Sequence, residues 1–161
     1  MSLEHNISVG LGKIVIAQSP AVIVAAGIGS CIIVCLYDSQ TKTGAAAHIM
    51  LPYQNESKPD RKKPAKYADT AIAKIVRKLK KRGISPNNLV AKIVGGAQLF
   101  YYSQVPNIGE QNIRVVKRLL HELKIPIVGN LTGGHFGRSI WFHCDTGKVI
   151  VRQKFDNMFE I

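Results

Sequence analysis

Short apolar runs dominate the first third of the chain, and their length and composition predict strands. Lys13 to Ala17, Ala21 to Ala26, Ile32 to Tyr37 and Gly44 to Leu51 are rich in Val, Ile and Ala, and turn residues such as "QSP" and "DSQTKT" separate them. The segment from Tyr53 to Pro64 is polar and flanked by proline, which predicts an exposed loop. From Ala65 to Arg82 the period changes. Ala68, Ile72, Ile75, Val76 and Leu79 recur at helical spacing with Lys and Arg between them, and Gly83 stands where a helix C-terminus needs a stop. "LVAKIVGG" (Leu89 to Gly96) reads as a buried strand ending in a glycine turn. Ile113, Val116, Leu119, Leu120 and Leu123 then mark a second amphipathic helix, followed by the strand-like runs "IPIVGNL", "SIWFHC" and "KVIVRQ". Strands outnumber helices, but the helices sit between strands, so the pattern predicts an α/β fold with a mixed sheet and two main amphipathic helices. No internal repeat or linker divides residues 1–161, which are expected to form one domain.

Composition narrows the setting. A chain of 161 residues buries about two-thirds of its unfolded surface and needs no disulfide or metal to fold. No apolar run approaches the roughly 20 residues of a membrane span. The start "MSLEHNISVG" lacks the basic-then-apolar order of a secretory leader. The expectation is a cytoplasmic protein without membrane insertion, whose three cysteines are reduced thiols. The net charge of +12 favours acidic partners, and Lys58 to Arg82 holds eleven of the twenty-two basic residues with only Asp60 and Asp69 as acids. Nucleic acid is not expected as a partner, because the aromatic run "FYY" (Phe100 to Tyr102) follows a glycine turn rather than lying on a basic strand.

The stretch "AAGIGSCIIVCLYD" raises the question of what Cys31 does. Around "SQTKT" the chain predicts a hairpin in which Asp38 pairs with Thr43 across a four-residue loop, so His48 lies opposite Ile33. Alternate residues share a face, which makes His48 the diagonal neighbour of Cys31, with Cα atoms roughly 7 to 8 Å apart. A zinc site built from Cys31, Cys35 and His48 conflicts with this geometry. Residues four apart on a strand lie about 13 Å apart, whereas zinc holds each sulfur at about 2.3 Å. Cys35 and Cys144 are read as core residues. For Cys31 itself two readings stay open, a small buried side chain or a nucleophile. "GIGS" bends the backbone and leaves the Cys31 amide free for an oxyanion, with Gly29 and Ser30 beside it as substrate or oxyanion contacts, and His48 is near enough to deprotonate the thiol.

Six ordered blocks carry a family resemblance: "GIGSC", "HIMLP", "KYADTAI", "AKIVGGAQLF", "NIGEQN" and "TGGHFGRSIWF", the last followed by "TGKVIVR". With the seventeen-residue interval from Cys31 to His48, the chain resembles the CheD-type chemoreceptor glutamine deamidases. The resemblance implies an α/β/α layered fold and a cytoplasmic protein-glutamine deamidase acting on methyl-accepting chemotaxis receptors. It also implies Cys31 as nucleophile and His48 as general base, no cofactor or metal, and a CheC-type phosphatase as a partner. A regulatory binding protein for that phosphatase, weakened or inactive as an enzyme, is the alternative. Three positions depart from the family pattern. Ala25 stands where a threonine orients the histidine, Gln111 where arginine is usual, and Leu131 where an acidic residue commonly precedes "TGG". His135 falls at a variable position and is read as a surface loop residue.

Overall fold

The computed structural model describes residues 5–55, 58–100 and 107–161. Tyr101 and Tyr102 of the "FYY" run lie outside these residues. The elements are β1 (His5–Ser8), β2 (Ile14–Gln18), β3 (Ala21–Ile28), β4 (Ile32–Asp38), β5 (Thr43–Ile49), α1 (Ala68–Lys81), β6 (Leu89–Gly95), α2 (Ile108–Glu122), β7 (Ile127–Thr132), β8 (Arg138–His143), β9 (Val149–Gln153) and β10 (Asn157–Glu160).

The strand β4 organises the layers. All seven of its residues are buried. Ile32, Val34 and Leu36 pack with Ile72, Ile75 and Leu79 of α1 and Val115, Val116 and Leu120 of α2. The alternate residues Ile33, Cys35 and Tyr37 pack with Ile23, Ile140, Phe142 and Val151 of other strands. A strand covered on both faces has no reason to alternate polar with apolar, which is why "IIVCLY" is a continuous apolar run.

The central sheet runs β2-β5-β4-β6-β7 and the outer sheet β1-β3-β8-β9-β10. Each contains one parallel pair, β6 with β7 and β1 with β3, among antiparallel neighbours. The α/β class, the mixed sheets and the two amphipathic helices are as the pattern predicts. The third layer differs from the implied α/β/α order: it is the outer sheet. Both helices lie on the same face of the central sheet, where Ala45, Ala47 and Ala91 leave room for their larger side chains, and β3, β8 and β9 cover the other face.

The helix ends follow local chemistry. Gly83, at φ +81°, lets the chain turn back so that its own amide and that of Ile84 reach the Lys80 and Leu79 carbonyls. The side chain of Asn107 accepts from the Glu110 amide and caps α2. The edge strands β1 and β10 carry no apolar pattern in the sequence because "HNIS" and "NMFE" are largely exposed.

Candidate active site

The site begins with the hairpin of β4 and β5. Asp38 pairs with Thr43, and the register carries Ile33 opposite His48, as the loop length predicts. The loop is held by the Asp38 carboxylate, which accepts from the Gln40 amide at 3.2 Å and the Thr41 hydroxyl at 2.7 Å. Cys31 is the residue immediately before β4, and His48, opposite Ile33, lies on the face of the hairpin that meets the outer sheet.

His48 is 3% exposed. The turn between β1 and β2 wraps around it. The His48 amide donates to the Lys13 carbonyl at 3.0 Å, its carbonyl accepts from the Gly12 amide at 2.9 Å, and its Nδ1 lies 3.3 Å from the Val9 carbonyl oxygen. A carbonyl only accepts, so Nδ1 carries the proton and Nε2 carries the lone pair. Among the described residues Nε2 has no hydrogen-bond partner. Val9 is itself held by its amide, which donates to the Val24 carbonyl at 2.9 Å, next to Ala25. The acceptor facing His48 Nδ1 is therefore a main-chain oxygen of the residue that follows β1. Ala25 is buried and pairs with Ile140.

The segment before β4 is clasped from behind through three successive carbonyls. Gly29 accepts from the Ala97 amide at 2.9 Å, Ser30 from Asn112 Nδ2 at 3.0 Å, and Cys31 from the Gly96 amide at 2.7 Å. In a trans peptide the carbonyl and the following amide point in opposite directions. The Ser30 and Cys31 amides therefore face away from these donors. Glycines make the clasp possible. A Cβ on Gly95, at φ +117°, would lie 2.3 Å from the Cys31 oxygen, and one on Gly109 would lie 2.4 Å from the Gly96 oxygen. Gly29 gives its space to Leu99, whose Cδ1 is 2.7 Å from where a Cβ would be. Arg138, 6% exposed, donates to the Gly95 carbonyl from Nη1 and to Gln153 from Nε, which secures the same turn from the outer sheet. Beside the segment lies a cleft whose walls include Ser30, Leu99, Phe100 and Ile108.

Burial pushes the Cys31 thiol up, and its own backbone amide opposes this. Burial pushes the His48 imidazole down, and the Val9 carbonyl opposes that. Both shifts favour the neutral forms, a thiol and a neutral imidazole. The other two thiols are more enclosed. Cys35 is 1% exposed and pushed far above the ordinary thiol range, and Cys144 is fully buried and pushed up to about 11, both mainly by burial. Both sit in the core between the sheets.

The remaining sequence-selected residues fall elsewhere. His135 is exposed, with Nδ1 3.0 Å from the Gln98 carbonyl. Gln111 is exposed on α2, and Leu131 packs against the core between the sheets. Sequence reasoning missed Val9 and Asn112. A backbone carbonyl has no residue-type signature, so nothing in the sequence marks Val9. Asn112 did leave a signal, since it falls three residues after Gly109 and four before Val116 on the inward stripe of α2, where a polar residue is out of place.

A partly buried thiol at a glycine bend and a buried imidazole on the neighbouring strand are the candidate reactive groups of this α/β protein. Residues 50–153 match the family model described as CheD chemotactic sensory transduction, and the chain belongs to the CheD family. It is 43% identical over 145 residues, 90% of each chain, to the chemoreceptor glutamine deamidase CheD of Thermotoga maritima. A probable chemoreceptor glutamine deamidase CheD from Caldanaerobacter subterraneus is 39% identical over 89% of this chain and 90% of its own. One from Geobacillus kaustophilus is 36% identical with both chains covered in full, which takes in Cys31 and His48, upstream of the family-model match.

Proposed function

We propose that this protein is a chemoreceptor glutamine deamidase in which Cys31 is the nucleophile and His48 the general base and acid. The observation that carries the mechanism is the state of His48 on the strand paired with the one Cys31 precedes, buried with Nδ1–H engaged by Val9 and Nε2 without a partner among the described residues. The relatives' names supply the substrate class.

The chemistry follows from these groups. Nε2 takes the Cys31 S–H proton as sulfur attacks the glutamine side-chain carbonyl carbon, and the carbonyl π electrons move to oxygen. The Ser30 and Cys31 amides, turned away from the clasp, are the donors for that oxyanion. As the oxyanion collapses, the C–N bond breaks and the imidazolium gives its proton to the departing ammonia. Water then adds to the thioester with His48 again as base, and the thiol leaves with the proton, yielding glutamate. No step calls on a metal or cofactor.

The alternative of a weakened or inactive regulatory binding protein drew on Ala25; the Val9 carbonyl 3.3 Å from Nδ1, an acceptor that does not depend on residue 25, supports the enzymatic reading over it. The CheC-type phosphatase belongs to this proposal as a regulatory partner. The test is Cys31→Ala incubated with a receptor cytoplasmic fragment. Loss of ammonia release and of glutamine-to-glutamate conversion by mass spectrometry is expected, and conversion at the wild-type rate would remove Cys31 from the mechanism.

A further inference from the structure

Asn112 is fully buried on α2, far from Cys31 in sequence, yet it touches both arms of the proposed site. Its Nδ2 donates to the Ser30 carbonyl at 3.0 Å and to the Met50 carbonyl at 3.1 Å. The first bond sets the peptide between Ser30 and Cys31. The second holds the chain two residues beyond His48, at the end of β5. Reversing the amide would point Oδ1 at two carbonyl oxygens, so the donor assignment is dictated by chemistry. The arrangement leaves Oδ1 buried and without a partner among the described residues. A side chain that merely filled this position would do better apolar, since an orphaned buried acceptor is unfavourable.

We infer that Asn112 is a positioning residue for the reaction. One amide group ties the segment bearing the nucleophile to the end of the strand bearing the base, and so sets both the thiol–imidazole separation and the direction of the Cys31 amide. Gly109 permits it, because a Cβ there would strike the Gly96 and Ala97 carbonyls and hold the first turn of α2 away from the clasp. The inference rests on the Cys31 and His48 reading and extends it to a residue that touches neither reacting atom.

The experiment compares Asn112→Ala and Asn112→Asp with Asp38→Ala, a buried polar deletion at the opposite end of the same hairpin. Melting temperature, kcat and KM on a receptor fragment, and the pH dependence of Cys31 alkylation by iodoacetamide are measured for each. Aspartate keeps the volume of asparagine, but its carboxylate cannot donate to two carbonyls. Both Asn112 variants are expected to lose about tenfold to a hundredfold in kcat with KM little changed, and to shift the alkylation profile. Asp38→Ala is expected to lower the melting temperature while kcat and the profile stay at wild type. The inference fails if kcat of the Asn112 variants stays within about twofold of wild type, a smaller loss than misplaced reacting groups produce. It fails if Asp38→Ala loses kcat equally, or if neither Asn112 variant folds, which would make the residue structural. Cys31→Ala run alongside separates the two levels. Wild-type activity there sinks the Cys31 reading itself, whereas an inactive Cys31→Ala with active Asn112 variants sinks only this inference.

Discussion

Replacing Gly95 by alanine tests whether the clasp behind Cys31 governs the chemistry. The new Cβ would stand 2.3 Å from the Cys31 carbonyl oxygen, 2.7 Å from Ile28 Cγ2 and 3.2 Å from Ile32 Cα. A carbon–oxygen contact relaxes at about 3.3 Å, so the Cys31 carbonyl and β6 must separate by about 1 Å. The bond from the Gly96 amide, now 2.7 Å, would stretch beyond the range of a good hydrogen bond. The φ of +117° adds strain that alanine tolerates poorly. Strain of roughly 1–3 kcal/mol and a lost hydrogen bond of about 1 kcal/mol together predict a stability loss of about 2–4 kcal/mol. With Cys31 as the proposed nucleophile, its displacement by about 1 Å predicts about a hundredfold loss of kcat. Chemical denaturation gives the first number and steady-state deamidation of the folded protein the second. Gly27→Ala is the control, since Gly27 has φ +65° but nothing within 4 Å of its Cβ position. It should show backbone strain without loss of kcat. A Gly95→Ala protein that turns over at the wild-type rate would refute the reasoning.

The pH profile and the Ala25 position offer further checks. Because burial holds His48 below the ordinary imidazole value near 6.5, kcat/KM should stay level through that pH and fall only in more acidic solution. Stability should begin to fall near pH 6.5, where the unfolded imidazole takes a proton that the folded one refuses, and level off below the folded value. A kinetic acid limb centred above pH 6.5 would contradict the neutral buried base. Ala25→Thr, which restores the family hydroxyl, should give no gain in kcat because the Val9 carbonyl already engages Nδ1. It should also cost about 1–3 kcal/mol of stability through overpacking beside Ile140, read by thermal unfolding. A tenfold rise in kcat would show that the main-chain acceptor is a poor substitute.

The hairpin shows how far a linear pattern reaches. Asp38 and Thr43 bracket a four-residue loop, and that register alone sets His48 opposite Ile33, two residues after Cys31. Cys35, read as a core residue, lies in the core between the sheets. Helical periodicity located α1 and α2, with the stop at Gly83. Short-range rules sufficed because each of these features depends on residues within a turn or a hairpin of one another.

Three other features depended on contacts between distant segments. Two amphipathic helices fit one face of a sheet or opposite faces equally well, and only the packing of β3, β8 and β9 against Ile33, Cys35 and Tyr37 assigned strands to the second face. Asn112 meets Ser30 and Met50 across separations of 82 and 62 residues. The Val9 oxygen that orients His48 is a group every residue possesses, so residue types cannot reveal it and only the folded path of the main chain puts it beside the imidazole. Residue types and their spacing thus marked Cys31 and His48 as the candidate pair and set the hairpin register between them. Tertiary packing decided what holds them in place, because those supports are main-chain carbonyls and one buried amide reached through space.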